Sequence, residues 1–118
     1  MNNLFICYLK CTTCKKAKEW LKENQIDFEE RDIKAARPTI EELRKWHKKS
    51  GLPLKRFFNT SGLVYKELGL SKKLSEMSEE DQLVLLASDG MLVKRPILVS
   101  DEKILVGFKA VEWQGINR

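Results

Sequence analysis

Leu4-Phe5-Ile6-Cys7-Tyr8-Leu9-Lys10-Cys11-Thr12-Thr13-Cys14-Lys15-Lys16-Ala17-Lys18-Glu19-Trp20-Leu21 is the stretch from which the rest of the chain can be read. It opens on an apolar run, Leu4–Tyr8, the pattern of a short buried strand. From Thr13 to Asn24 the period changes to that of a helix. Cys14, Ala17, Leu21 and the neighbouring Trp20 form its apolar face, with lysines and Glu19 on the other side. Cys11 therefore stands where a strand has ended and a helix begins, and Cys14 follows one turn later.

That position suits sulfur chemistry. The thiolate is the reactive form of cysteine, and a helix N-terminus favours negative charge through its unpaired N–H groups and dipole. Lys10, Lys15 and Lys16 add positive charge nearby. Cys11 is expected to titrate below the ordinary thiol value of about 8.5 and to act as nucleophile. Cys14 can reach back across one turn as resolving thiol, so the pair reads as a disulfide-exchange centre. Zinc would need four ligands, and beyond the pair the chain offers only Cys7 and its sole histidine, His47. His47 is better placed to complement a helix C-terminus, and Cys7 to fill the core of the first strand. No metal and no cofactor is expected.

The remaining composition sets bounds. The chain has 118 residues, enough for one domain with its own core, and no apolar run approaches the roughly 20 residues of a membrane helix. The first residues, Met1-Asn2-Asn3, carry no basic region and no cleavage pattern, so a cytoplasmic location is expected. An odd count of three cysteines, all near the N-terminus, argues against a secreted disulfide framework. The net charge of +5 is spread over the helices, which points to a solvated surface rather than a nucleic-acid stripe. We expect a monomer that binds neither nucleic acid directly nor membrane.

Beyond the first helix, Ile26 to Ile33 reads as a second, half-exposed strand, closing a βαβ unit whose strands run parallel. Thr39 and Glu42 have capping-box spacing, and a helix with Ile40, Leu43 and Trp46 on one face runs to Gly51. Leu54–Phe58 is a short apolar turn, and Tyr65–Leu68 a short helix stopped by Gly69. Ser78 caps a helix running to about Ala87, with Leu83 and Leu86 inward. Ile97–Val99 and Ile104–Val106 form a hairpin around Ser100-Asp101-Glu102, and Phe108–Trp113 closes the chain as a short helix.

The order βαβ, helices, ββα is the thioredoxin-like arrangement. The expected fold is α/β, one domain over residues 1–118, with a helical insertion at about 39–87 and a four-stranded mixed sheet. We expect strand one to lie between parallel partners and the last two strands to be antiparallel. In such a fold Arg95-Pro96, directly before strand three, is expected to be a cis peptide packed near the CxxC. Pro96 would offer backbone groups to an extended partner, and Arg95 would aim a guanidinium at the thiolate pocket. Arg95, Pro96, Thr12 and Thr13 are the expected substrate-binding residues beside the catalytic Cys11 and Cys14.

Cys11-x-x-Cys14, Arg95-Pro96, Tyr65-Lys66-Glu67-Leu68-Gly69-Leu70, Phe57-Phe58-Asn59-Thr60-Ser61-Gly62 and the segment from Ser88 to Pro96 together resemble the arsenate reductase (ArsC)/Spx family over nearly the whole chain. The resemblance implies cysteine-based reduction, with glutaredoxin, thioredoxin or a small thiol as electron donor. Glutaredoxin-coupled arsenate reductases carry one catalytic cysteine and three arginines that hold the oxyanion. The cysteine matches Cys11 and one arginine matches Arg95; the other two positions fall on Asn59 and Gly107, and Cys14 stands where those enzymes have serine. Only part of a bidentate oxyanion clamp is thus retained. The Spx branch shares CxxC and Arg-Pro and implies the alternative: a redox-switched regulator that binds the C-terminal domain of the RNA polymerase α subunit.

Overall fold

A computed structural model describes residues 3–116. The chain divides into two compact units: the residues up to Asp32 together with those from Arg95 onward, and Ile33–Lys94.

The first unit is built on a four-stranded sheet. In chain order its elements are β1 (Leu4–Cys7), α1 (Thr12–Glu23), β2 (Glu29–Asp32), then β3 (Ile97–Val99), β4 (Ile104–Val106) and a closing helical turn at Ala110–Trp113. The strand order is β2-β1-β3-β4. β1 and β2 are parallel, with Leu4 opposite Glu29 and Cys7 opposite Asp32. β3 and β4 form the expected antiparallel hairpin, pairing Ile97 with Val106.

One expectation is corrected. β1 does not lie between two parallel partners, because β3 runs antiparallel to it, with Leu4 opposite Val99 and Ile6 opposite Ile97. The reason lies in Arg95-Pro96. β1 and β2 both end at the edge of the sheet where Tyr8 and Cys11 follow, and Arg95 stacks on Tyr8 at that same edge. A strand that leaves from there can only run back along β1.

The predicted second strand is also shorter than Ile26–Ile33. The Ile26 N–H still bonds the Leu21 carbonyl at 2.9 Å, so Ile26 belongs to the exit of α1 and is buried beneath it. Pairing starts only after the Glu29 N–H reaches the Asn3 carbonyl at 2.8 Å. What remains, Glu29-Glu30-Arg31-Asp32, is a charged edge strand, a composition that discourages pairing with another chain.

The core of this unit takes the apolar stripe of α1, namely Cys14, Ala17 and Leu21, against Phe5 and Cys7 of β1 and Leu98 of β3. Trp113 is fully buried at its centre, edge-on to Phe5, Trp20 and Phe108, and its indole N–H donates to the Gly107 carbonyl at 3.1 Å. Such a buried aromatic with its one polar atom paired fixes the closing helix against the sheet.

In the second unit, α2 (Ile40–Ser50) begins with the capping box that the sequence spells. The Glu42 N–H donates to the Thr39 hydroxyl at 3.1 Å, and the Thr39 N–H to the Glu42 carboxylate at 3.0 Å. Gly51 ends it in the left-handed conformation, at φ 69°. Next come a 3-10 turn (Leu54–Phe57), α3 (Leu63–Glu67), α4 (Leu70–Lys73) and α5 (Glu79–Ser88); the Ala110–Trp113 turn is α6. The sequence reading stopped at Gly69 and missed α4. Gly69, at φ 65°, breaks one helix and serves as the joint from which the next one starts. Arg44 of α2 forks onto both oxygens of Glu80 in α5, at 2.5 and 2.7 Å.

Candidate functional site

The edge of the sheet where β1 ends is organised by three consecutive steps of backbone. The Cys11 N–H donates to the Tyr8 carbonyl at 3.0 Å and closes a tight turn. Cys11 is the N-cap residue of α1, at φ −88° and ψ 121°, and its carbonyl accepts the Lys15 N–H at 3.1 Å. Thr12 and Thr13 are then the first residues of the helix, both exposed, and Cys14 turns inward. The sequence places no acidic residue in this first turn, so no carboxylate there repels a thiolate.

The two thiols sit in different surroundings. Cys11 is half-buried, and burial taken alone would raise its pKa. That effect is outweighed, so the thiol titrates below its ordinary value: the backbone N–H and thiol of Cys14, the backbone N–H of Thr13 and the Arg95 charge all favour the thiolate. Cys14 is buried, and burial pushes its thiol up to about 12, with the hydrogen bond its thiol donates to Cys11 and the Cys11 charge acting in the same direction. Only the Tyr8 N–H, 3.3 Å from the Cys14 sulfur, works against that rise. Cys7, in the core of β1, is raised to about 11 by burial and by Glu30 and Asp32. All three cysteines are free thiols.

Arg95 supplies the positive charge. Its guanidinium carbon lies 5.1 Å from the centre of the Tyr8 ring, over the ring face, and the Arg95–Pro96 peptide bond is cis. The sequence reading aimed Arg95 at the thiolate pocket and also credited Lys10, Lys15 and Lys16 with positive charge there. They are exposed, where water and salt screen their fields, and Arg95 takes their place. Pro96 is buried and directly precedes Ile97, which pairs with Ile6.

The two positions where the resembled reductases carry further arginines are built for other tasks. Gly107 has φ 77°, donates its N–H to the Pro96 carbonyl at 2.8 Å and accepts the Trp113 indole, so it is a turn that a side chain would strain. Asn59 is tied through its N–H to the Leu92 carbonyl at 2.7 Å, beside the Phe58–Val93 bridge of the second unit. Arg56 and Lys94 line an open cleft of that unit with Lys55, Pro53, Phe58 and Thr60. His47 packs edge-on against Phe57 at 6.0 Å in the last turn of α2.

Tyr8 is the residue that the sequence reading passed over. Read as the end of an apolar strand, it lies outside β1, where its carbonyl, N–H and ring reach Cys11, Cys14 and Arg95 in turn. The signal available was its place three residues before the CxxC, which is the span of a tight turn.

The family model of ArsC matches residues 7–116, a span that runs from Cys7 through both site cysteines and Arg95-Pro96 to just past the closing helix. The chain belongs to the ArsC family. An ArsC family related protein from Bacteroides fragilis has the same fold at a TM-score of 0.94, with 56% identity over 97% of this chain and 96% of that one. A protein from Streptococcus mutans described as a "possible arsenate reductase" is 46% identical over 92% of each chain, at a TM-score of 0.85. The regulatory protein MgsR of Bacillus subtilis is 35% identical over 97% of this chain and 89% of its own length. ArsC relatives thus include proteins named for reduction and proteins named for regulation.

Proposed function

We propose that this ArsC-family chain is a thiol–disulfide or arsenate-reductase-like oxidoreductase in which Cys11 attacks and Cys14 resolves. The observation that carries the reading is the placement of two thiols one helical turn apart: Cys11 half-buried as the N-cap residue of α1, and Cys14 buried with the Tyr8 N–H 3.3 Å from its sulfur. In the first step the Cys11 thiolate attacks a substrate disulfide, forming a mixed disulfide and expelling one substrate thiolate. In the second, Cys14 gives its proton to solvent or to the departing sulfur and attacks the Cys11 sulfur. A Cys11–Cys14 disulfide forms and the second substrate thiolate leaves. The Tyr8 N–H receives the charge that develops on the Cys14 sulfur. A dithiol donor, either glutaredoxin or thioredoxin, or two small thiols, returns the two electrons. Arg95, Pro96, Thr12 and Thr13 form the substrate-facing rim. The exposed threonines offer hydroxyls to an extended partner, while the Pro96 carbonyl is held by the Gly107 N–H at 2.8 Å.

The cytosol is the compartment that keeps three free thiols reduced, and no helix among the described residues is long and apolar enough to cross a membrane. The test is turnover of a small disulfide, with glutaredoxin or thioredoxin and its recycling reductase supplied. We expect consumption of reductant that depends on this protein. Absence of turnover with either donor contradicts the reading.

The 35% identity to a protein named as regulatory favours one second reading. The same cysteine pair would then be a switch, and its oxidation would change binding to the C-terminal domain of the RNA polymerase α subunit. An enzyme turns over, whereas a switch binds this partner differently in its two redox states and does not.

A further inference from the structure

We propose that Tyr8 is the positioning residue of the thiol site: its ring holds the Arg95 guanidinium in place at Cys11, while its backbone fixes both sulfur-bearing residues. The inference rests on the proposed role of Cys11 as nucleophile and adds what keeps its cation there.

An arginine side chain loses rotamer freedom when held in one geometry. Something must offset that cost, and the face of an aromatic ring does so through its negative quadrupole. Tyr8 presents such a face with the guanidinium carbon 5.1 Å from its centre, and both side chains are half-buried, where the attraction is less screened than on an open surface. The backbone of the same residue supplies the other two contacts. Its carbonyl accepts the Cys11 N–H at 3.0 Å, and its N–H donates to the Cys14 sulfur at 3.3 Å. One residue thus sets the distance between nucleophile, resolving thiol and cation.

The titratable and charged groups that act on Cys11 and its partner thiol are few and come from each packed element: Cys14 on α1, Cys7 on β1 and Arg95 before β3. Glu30 and Asp32 of β2 act on Cys7. Arg95 is the cation among the groups that lower the Cys11 pKa, so loss of its position should be read directly in the Cys11 titration.

The experiment measures iodoacetamide alkylation of Cys11 against pH in Tyr8→Leu, Tyr8→Phe, Arg95→Met and the Tyr8→Leu/Arg95→Met double variant, with thermal melts confirming folded protein. Tyr8→Leu should raise the alkylation midpoint by about half a unit, as expected for a displaced, partly solvated cation, and Arg95→Met by a similar amount. Tyr8→Phe, which keeps the ring, should restore the original midpoint. In the double variant the Tyr8 change should add nothing further, because the residue acts only through Arg95. If Tyr8→Leu does not fold, Tyr8→Met replaces it, an unbranched side chain that removes the ring with less demand on packing. A Tyr8 shift that persists in full on the Arg95→Met background overturns the proposal, as does a Tyr8→Phe shift equal to that of Tyr8→Leu. Disulfide turnover by the unsubstituted protein separates the two ideas. If it is absent while the midpoint shifts appear as expected, the enzymatic reading fails and the positioning role stands.

Discussion

Cys11→Ser abolishes disulfide exchange, a loss of at least about a thousandfold, because a serine hydroxyl has neither the acidity nor the nucleophilicity of a tuned thiolate. Cys14→Ser gives a different outcome. Attack by Cys11 still occurs, but nothing displaces the mixed disulfide, and a stable adduct accumulates at Cys11. Intact mass after incubation with a small disulfide reads both results: an added mass in Cys14→Ser, none in Cys11→Ser. The asymmetry follows from position. Cys11 caps the helix half-exposed beside Arg95, whereas Cys14 lies buried under the Tyr8 N–H. Cys7 is buried in the core of β1, at about 11, and does not replace either of them.

Arsenate turnover, with glutaredoxin supplied, should fall at least about a hundredfold below that of a relative carrying all three arginines, since removal of a single oxyanion donor commonly costs that much. Arg95 is the one matching guanidinium. Gly107 is committed to a left-handed turn and Asn59 carries no charge, so neither can complete a bidentate clamp. Lysines are no substitute, because an ammonium is a point charge and lacks the planar fork. Lys109 is exposed ahead of α6, and Arg56 and Lys94 line the cleft of the second unit. Initial rates with arsenate and with a small disulfide, measured side by side, check this. A rate with arsenate equal to that of a three-arginine enzyme would contradict the reading of the clamp.

Much of this architecture could be read from the chain because local signals and tertiary demands agree there. The apolar run before Cys11, the helical period after it, the Thr39–Glu42 box and the Ile97–Val106 hairpin each name an element that the structure contains. The misreadings occur where a residue serves more than its local pattern. Ile26 is apolar because it caps the core under α1, and so it inflated a strand that holds only four charged residues. Gly69 signals a stop, yet in the folded chain it is a joint between two short helices. The direction of β3 follows from Arg95, which meets Tyr8 at the end of β1, so that the strand starting there runs back along β1.

At the site, the cysteine spacing and the Arg95-Pro96 pair were legible as motifs. The weight of each cation was not, because the lysines near in sequence are exposed while Arg95, far along the chain, stacks on Tyr8. The Tyr8 contacts depend on a turn geometry that composition does not encode.

The central claim is that Cys11 and Cys14 are tuned in opposite directions, and alkylation rate against pH, followed by mass mapping of each cysteine, tests it most directly. Thiolate is the reacting form, so a lowered pKa moves the onset of reaction to lower pH and a raised one delays it to high pH. The reduced protein should therefore alkylate at Cys11 with a midpoint below the ordinary thiol value, while Cys14, at about 12, stays unmodified until strongly alkaline pH. Mild oxidation beforehand should protect Cys11 and Cys14 together, as one disulfide, and leave Cys7 free. Equal rates at Cys11 and Cys14 with ordinary midpoints, or a dominant Cys7–Cys11 bridge in the oxidised protein, would contradict the account.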